Sequence, residues 1–194
     1  MNDAVAVLIA AVPAYLLGTF PTAVLVARAG GRDVTKEGSG NPGASNVARL
    51  MGWKWGLLVM AGDLLKGAIA AGVGLAIAGR PGAYLLGILA VLGHTYPATR
   101  HFKGGKGVAT AGGMLAVLFP VLVVILAVVW FVIARVFKLA SVGSLVVAVL
   151  FPVGVWLMGY AVWEIVITGA LALLVVLRHL PNLKRLVKGQ ELRT

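Results

Sequence analysis

The sequence predicts an all-α integral membrane protein, a bundle of about seven transmembrane helices, some of them short or broken. Three observations carry that prediction. Of the 194 residues, 60% are hydrophobic and only 12% charged, with a mean hydropathy of +0.99. A soluble domain of this size could not hide so much apolar surface. The apolar residues come in runs, at 4–27, 53–78, 82–99, 107–137, 139–158 and 160–177, most of them near the roughly 20 residues that a helix needs to cross hydrocarbon. The charges gather in the short segments between those runs.

Each run has its own argument. The first lacks a basic leader, carries Asp3 and exceeds the usual length of a signal-peptide core, so it is expected to be a retained helix. The second contains Gly62, Gly67, Gly72 and Gly74, small residues that let helix backbones approach closely in lipid. It also contains Asp63 and Lys66, three apart on one face and able to neutralise each other at a depth where charge is costly. The run 107–137 is too long for one ordinary span and has Pro120 near its middle, where the helical hydrogen-bond ladder breaks.

Charge decides how to divide that run. A single crossing would put Arg135 and Lys138 opposite Arg100, Lys103 and Lys106; a break at Phe119-Pro120 puts every basic cluster on one face. The second choice predicts seven spans, with turns at 79–81, 119–121 and 159–161. The N-terminus is then outside, the C-terminus in the cytoplasm, and Arg80 alone on the outer side. The segment 107–118 is short for a span and must lie where the bilayer is thin or neighbours cover it. No hydrophilic stretch is long enough for a second unit, so residues 1–194 are expected to form one membrane-embedded domain. No internal repeat is visible that would suggest an inverted-repeat transporter.

Composition also removes some chemistries. There are no cysteines, so disulfides, thiolate nucleophiles and thiolate metal sites are out. The net charge of +11 fits either the ordinary basic excess of cytoplasmic loops or the gathering of anionic substrates. The basic residues are divided among short loops and form no continuous stripe, which argues against a nucleic-acid partner. No His, Asp and Glu cluster has metal-ligand spacing, so neither a metal nor another cofactor is expected.

Three polar segments carry the candidate chemistry. The first spans 30–49 and contains Gly38-Ser39-Gly40-Asn41-Pro42-Gly43-Ala44-Ser45-Asn46 followed by Arg49. Asn-Pro-Gly signals a turn in which Gly43 takes the positive φ of a type II geometry. Gly38 and Gly40 let backbone approach a ligand around Ser39, and Ser45 and Asn46 suit the start of a helix carrying Arg49. Backbone N–H groups, a hydroxyl and a guanidinium together make an anion cradle. The second segment runs His101-Phe102-Lys103-Gly104-Gly105-Lys106-Gly107-Val108-Ala109-Thr110 into the next apolar run. A glycine-rich turn with a lysine at a helix N-terminus suits phosphate, although Gly107 after Lys106 separates it from a Walker A loop. The third segment, 178–191, places His179 where the last span emerges, able to act as a base or a hydrogen-bond partner, with Asn182 and Glu191 beyond it. The alternative for this segment is a juxtamembrane basic tail that holds anionic headgroups.

Together, GSGNPGASNVAR, HFKGGKGVAT and RHLPNLKRLVKGQE resemble the three signature motifs of the bacterial acyl-phosphate-dependent glycerol-3-phosphate acyltransferases. The similarity extends to Gly18-Thr19-Phe20-Pro21 and to Asp63-Leu64-Leu65-Lys66-Gly67. The resemblance implies a seven-span enzyme of the bacterial inner membrane with a cytoplasmic site. Such an enzyme moves an acyl group from acyl phosphate to the 1-hydroxyl of glycerol 3-phosphate, at the entry to phospholipid synthesis, with no obligatory protein partner evident. It implies catalytic roles for Ser39, Arg49, Lys106, His179 and Asn182. Gly38, Gly40, Asn41, Ser45, Asn46, Gly104, Gly105, Gly107 and Thr110 would bind substrate, and Asp63, Lys66 and Glu191 would support the site. The chain departs from the family pattern at Ser45, usually threonine, and at Leu180-Pro181, usually polar.

The chemistry agrees with these residues. An acyl phosphate is a mixed anhydride already activated toward attack, so positioning and charge neutralisation matter more than a covalent nucleophile. A different class also fits basic loops: a phosphate or organic-anion transporter using them as a vestibule, which would need anion-binding groups near the midplane and access from both sides.

Overall fold

The computed structural model describes residues 2–193, and every regular element among them is helical. In chain order the helices are α1 (Asp3–Thr19), α2 (Thr22–Ala29), α3 (Ala44–Met51), α4 (Trp53–Thr95), α5 (Val108–Leu118), α6 (Pro120–Phe137), α7 (Ala140–Leu157), α8 (Val162–Arg178) and α9 (Leu180–Val187). A short 3₁₀ turn at Ala98–Arg100 follows α4. The chain gathers into two compact units, 1–120 and 121–194.

In the first unit the expected helix at 4–27 is two helices. Pro21 lacks an N–H and pushes the residue before it out of helical geometry; Phe20 accordingly has ψ 120°, and α2 starts afresh at Thr22. Helix α4 is two helical arms that meet at a sharp kink. Ala78 and Gly79 leave helical geometry, Gly79 with φ +62°. The Lys66 ammonium lies 2.8 Å from the His94 imidazole. A straight helix would separate residues 66 and 94 by about 40 Å, so the arms 53–77 and 80–95 form a hairpin whose turn falls next to Arg80 and Pro81.

Helix α5 packs into this hairpin through glycine. A Cβ added at Gly67 would lie 2.0 Å from the Thr110 carbonyl oxygen, and one at Gly113 would lie 1.8 Å from that of Leu64. Such approach is available only to helices with small residues at the crossing, and in lipid it is the main source of packing energy. At the hairpin turn, Arg80 donates to the Leu118 carbonyl at 3.3 Å and stacks over Phe119 at 4.9 Å. The break expected within 107–137 falls at Phe119 (φ −142°, ψ 61°), and α6 begins at Pro120.

In the second unit α7 packs along α8, and α8 bends by 56° into α9. The third polar segment of the sequence is therefore helical from Leu180 to Val187. Its Pro181 sits in the first turn, where a missing N–H costs nothing.

Large apolar side chains cover the outside of both units. Leu8, Ile9 and Val12 of α1 and Val121, Val124 and Val128 of α6 are all more than half exposed, a distribution that water would penalise and hydrocarbon accepts. By length and composition, four helical stretches can cross a bilayer, or five if α8 and α9 count as one bent span. The folding back of α4 and the separate short helix α5 divide the apolar sequence further, into 3–19, 53–77, 80–95, 108–118, 120–137, 140–157 and 162–178.

Candidate active site

A cleft in the first unit collects residues from five places in the chain. Thr19 and Phe20 come from the break between α1 and α2, Asp63 and Lys66 from one arm of α4, and His94 from the other. Pro42 represents the first polar loop, and Arg100 and Gly105 the second. On its floor Asp63 and Lys66 form an ion pair at 2.8 Å, each side chain only 4% exposed. Lys66 also donates to His94 Nδ1 at 2.8 Å and to the Phe20 carbonyl at 3.3 Å, the carbonyl that Pro21 released from the helix. All three ammonium donors are thereby used, which is what makes a charge at this depth tolerable.

The first polar loop is organised around Asn46. This buried side chain accepts from the Ser39 N–H at 3.0 Å and from Arg49 Nη1 at 3.1 Å. Its amide donates to the carbonyls of Val34 at 3.1 Å and Glu37 at 3.0 Å. A backbone N–H and a guanidinium thus converge on one oxygen, held by an amide that is anchored twice. Asn41 N–H reaches the Ser39 hydroxyl at 3.4 Å, and Ser45 lies half-buried in the first turn of α3. At its outer end the loop is closed by Asp33, which accepts from the Thr35 N–H and hydroxyl, and by an Arg32–Glu37 ion pair at 3.0 Å. The Thr35 hydrogen bonds, then Lys36, hold the Asp33 carboxyl below its ordinary range.

The turn geometry differs from the expectation. Gly43 is extended (φ −148°, ψ 166°) and serves as the N-cap of α3. The positive φ angles fall instead on Gly38 (+61°) and Gly40 (+68°). The reason is the helix: a residue entering α3 from an N-cap takes β geometry, so the chain must reverse earlier.

The second polar loop lies against the end of α4. It leaves the 3₁₀ turn through His101 and Phe102, both left-handed (φ 50° and 59°), which is uncommon for side chains of this size. Phe102 N–H bonds back to the Pro97 carbonyl at 2.9 Å and Gly105 N–H to the His94 carbonyl at 3.1 Å. Gly104 and Gly105 are buried, and their backbones touch α4 directly. A Cβ at Gly104 would meet the His94 carbonyl at 2.1 Å, and one at Gly105 would meet the His94 imidazole Nε2 at 2.1 Å. Lys106 follows, half-buried, and Gly107 (φ +84°) starts α5. Thr110, on the first turn of α5, is fully buried, and its hydroxyl has no hydrogen-bond partner.

The second unit holds the third motif at the corner between α8 and α9. His179, 2% exposed, caps α8 and lies 2.8 Å through Nδ1 from the Val175 carbonyl. A carbonyl only accepts, so Nδ1 carries the proton, and in the neutral ring Nε2 keeps its lone pair. Three residues on, Asn182 Nδ2 donates to Glu191, which also accepts from the Ser141 hydroxyl at 2.8 Å and from Arg185 Nε at 2.8 Å. Burial on its own would raise the Glu191 carboxyl. The hydrogen bonds from Asn182, Ser141 and Arg185 outweigh that and hold it below the ordinary glutamate value. Glu191 thus ties the chain after α9 back to α7 and orients Asn182.

Of the residues singled out in the sequence, Asp63, Lys66 and Gly105 border the cleft, and Gly104 lies beside them against α4. Ser39, Asn46 and Arg49 are joined around one amide, while His179, Asn182 and Glu191 belong to the second unit. His94, Arg100 and Ser141 were missed. His94 carried a faint signal, a polar His-Thr-Tyr-Pro step closing an apolar run; Ser141 carried none. Among the described residues no group of three or more His, Asp or Glu side chains could hold a metal ion.

Helices clad in apolar side chains, with glycine-rich basic loops and a buried ion pair, define an integral membrane protein. Comparison with known proteins narrows this to an acyltransferase. Residues 8–189 match the model of the glycerol-3-phosphate acyltransferase family, and this chain belongs to that family. It is 43% identical over 183 residues to a glycerol-3-phosphate acyltransferase of Methylococcus capsulatus, covering 93% of this chain and 92% of the relative. It is 42% identical over 180 residues to that of a Jannaschia species, covering 92% and 88%. Among solved structures it is similar to the glycerol 3-phosphate form of PlsY (YgiH), an integral membrane glycerol 3-phosphate acyltransferase. That match has a TM-score of 0.91 at 34% identity and covers 97% of this chain and 96% of the other. The lysophosphatidic acid form of PlsY matches with a TM-score of 0.89 at 35% identity, covering 97% and 95%.

Proposed function

We propose that this enzyme transfers the acyl group of an acyl phosphate to the 1-hydroxyl of sn-glycerol 3-phosphate. The products are 1-acylglycerol 3-phosphate and inorganic phosphate, and the reaction is the first step of phospholipid synthesis. The observation that carries the reading is the similarity, over nearly the whole chain, to a solved acyltransferase named with glycerol 3-phosphate in one form and lysophosphatidic acid in another. In the reaction the 1-hydroxyl oxygen attacks the acyl carbonyl carbon, the bond from that carbon to the phosphate oxygen breaks, and phosphate departs. The chain has no cysteine, and a mixed anhydride needs no covalent intermediate to react, so the enzyme's task is to bring two anions together and neutralise them. Ser39, Arg49 and Lys106 take the phosphate groups in this reading, with Gly38, Gly40, Gly104, Gly105 and Gly107 keeping backbone close to them. The proton goes to a substrate phosphate, and His179 and Asn182 hold the glycerol. All three motifs serve this one reaction, the chain acting as a single acyltransferase domain.

Purified protein given acyl phosphate and glycerol 3-phosphate should release inorganic phosphate and form the monoacyl product. It should do neither when an acyl thioester replaces acyl phosphate. No release with acyl phosphate would sink the proposal.

The basic clusters support an orientation in the bacterial inner membrane with seven crossings, the N-terminus outside, and the loops and C-terminus in the cytoplasm. Cysteines placed at Lys36, Lys103, Lys138 and Lys188 should all label from the cytoplasmic side and one at Arg80 from outside. Opposite labelling at 103 and 138 would overturn the two crossings on either side of Phe119.

A further inference from the structure

The buried cluster beneath the second loop uses a histidine that none of the motifs contains. Lys66 Nζ lies 2.8 Å from Asp63 Oδ1 and 2.8 Å from His94 Nδ1. An ammonium paired with a carboxylate only donates, so His94 Nδ1 must accept, and the ring is neutral with its proton on Nε2. Lys66 therefore fixes both the tautomer and the orientation of the imidazole. The opposite edge of the ring faces the glycine loop: a Cβ on Gly105 would lie 2.1 Å from Nε2, 2.8 Å from Cε1 and 3.1 Å from Cδ2. The same residue's carbonyl accepts from Gly105 N–H at 3.1 Å. The loop is thus seated on His94 by backbone and by ring, one residue before Lys106. It also has two left-handed non-glycine residues just upstream, at His101 and Phe102, a conformation that persists only where surrounding contacts hold it.

We propose that His94, held by Lys66 and Asp63, is a positioning residue for Lys106: the buried ion pair sets the height of the Gly104-Gly105-Lys106 loop, and with it the affinity for a phosphate-bearing substrate. This rests on the reading that Lys106 meets substrate phosphate. The ion pair acts on the loop through the imidazole ring.

Two glycines in one loop allow a test that a merely structural role would not satisfy. Gly105→Ala drives its methyl into the His94 ring, whereas Gly104→Ala drives its methyl into the carbonyls of His94 and Thr95, at 2.1 and 2.5 Å. Removing the ring relieves the first clash and leaves the second. In the natural background Gly105→Ala should weaken glycerol 3-phosphate binding about tenfold, the scale of an overpacked contact, with kcat changing less than KM. In a His94→Ala background the same change should cost less than about twofold. Gly104→Ala should remain costly in both backgrounds.

Binding is read by calorimetry with glycerol 3-phosphate, turnover by phosphate release, and folding by melting temperature. The rate at which an amine reagent modifies Lys106, read by mass spectrometry, follows the loop whether or not substrate binds. If His94→Ala does not fold, His94→Asn serves in the same cycle, because it keeps an acceptor for Lys66 and gives up the ring under Gly105. Coupling between 94 and 105 with none between 94 and 104, seen in Lys106 reactivity and in binding, supports the proposal. Additive effects of His94 and Gly105 in Lys106 reactivity overturn it. Wild-type protein that neither binds glycerol 3-phosphate nor releases phosphate would overturn the functional reading instead, and the Lys106 reactivity cycle would still decide whether His94 positions the loop.

Discussion

The glycine loops of the first unit and the helical corner of the second fix polar groups by opposite means. In the first unit the fixing element is backbone: Gly38 and Gly40 supply left-handed turns, and Gly104 and Gly105 supply contact with α4 that any side chain would prevent. In the second unit it is a side chain, Glu191, whose carboxylate gathers Ser141 of α7 with Asn182 and Arg185 of α9. The contrast teaches that a motif rich in glycine and a motif rich in polar side chains fail differently. A glycine site is lost when volume is added, and a carboxylate site is lost when charge is removed. Charged residues proposed to meet substrate should be replaceable without unfolding.

The largest effect expected is of that last kind. Lys106→Ala and Arg49→Ala should each lower kcat/KM by about a hundredfold or more, the scale of one lost charge-stabilising donor, while the melting temperature of Lys106→Ala stays close to the parent's. Near-normal turnover in both, by phosphate release, would remove the glycine loops from the reaction.

A smaller effect is expected at the corner. His179→Gln keeps hydrogen bonding and cannot act as a base. If the ring only positions glycerol 3-phosphate, KM should rise roughly tenfold and the neutral-pH limb of the rate profile should persist. The hydrogen bond from Nδ1 to Val175 leaves Nε2 in the form a base would need, which is what makes this variant decisive. A loss of several orders of magnitude in kcat at unchanged KM would reverse the assignment.

The smallest effect on activity, and the clearest on stability, belongs to Glu191→Gln. The neutral amide loses the charge-assisted bonds to Arg185 and Asn182, at a cost of about 2 kcal/mol. The sign with pH follows from the depressed folded-state value. The carboxylate's contribution is fully present above about pH 4.5, its ordinary value, and is lost as pH falls through the lower folded value. Melting curves of parent and variant should therefore differ at pH 7 and converge in acid. A constant difference down to pH 3 would show that Glu191 does not brace the corner as an anion.

Helix class, the membrane setting and most boundaries were legible in the chain, because hydrocarbon admits only long apolar helices and proline punctuates them. The break at Phe119-Pro120 was read that way. The break at Phe20-Pro21 was not, because the apolar run continues through it without a change in composition. The three motifs were legible because serine, arginine, lysine and histidine crowded among glycines have little structural use in a loop between membrane helices.

What folding alone decided is who touches whom. Asn46 reads in the sequence as a substrate-binding amide, and in the fold its side chain knits the loop together through Ser39, Val34, Glu37 and Arg49. Gly43 looked like the turn residue, and the start of α3 moved the reversal to Gly38 and Gly40. Lys66 was visibly paired with Asp63 by helical spacing, but its second partner lies 28 residues on. Only the hairpin at Ala78-Gly79 brings His94 to it. Local spacing determines contacts within a turn or two of helix. Contacts between helices depend on where each one bends, and these bends are set by the geometry of one or two residues whose identity does not say at what angle the chain leaves them.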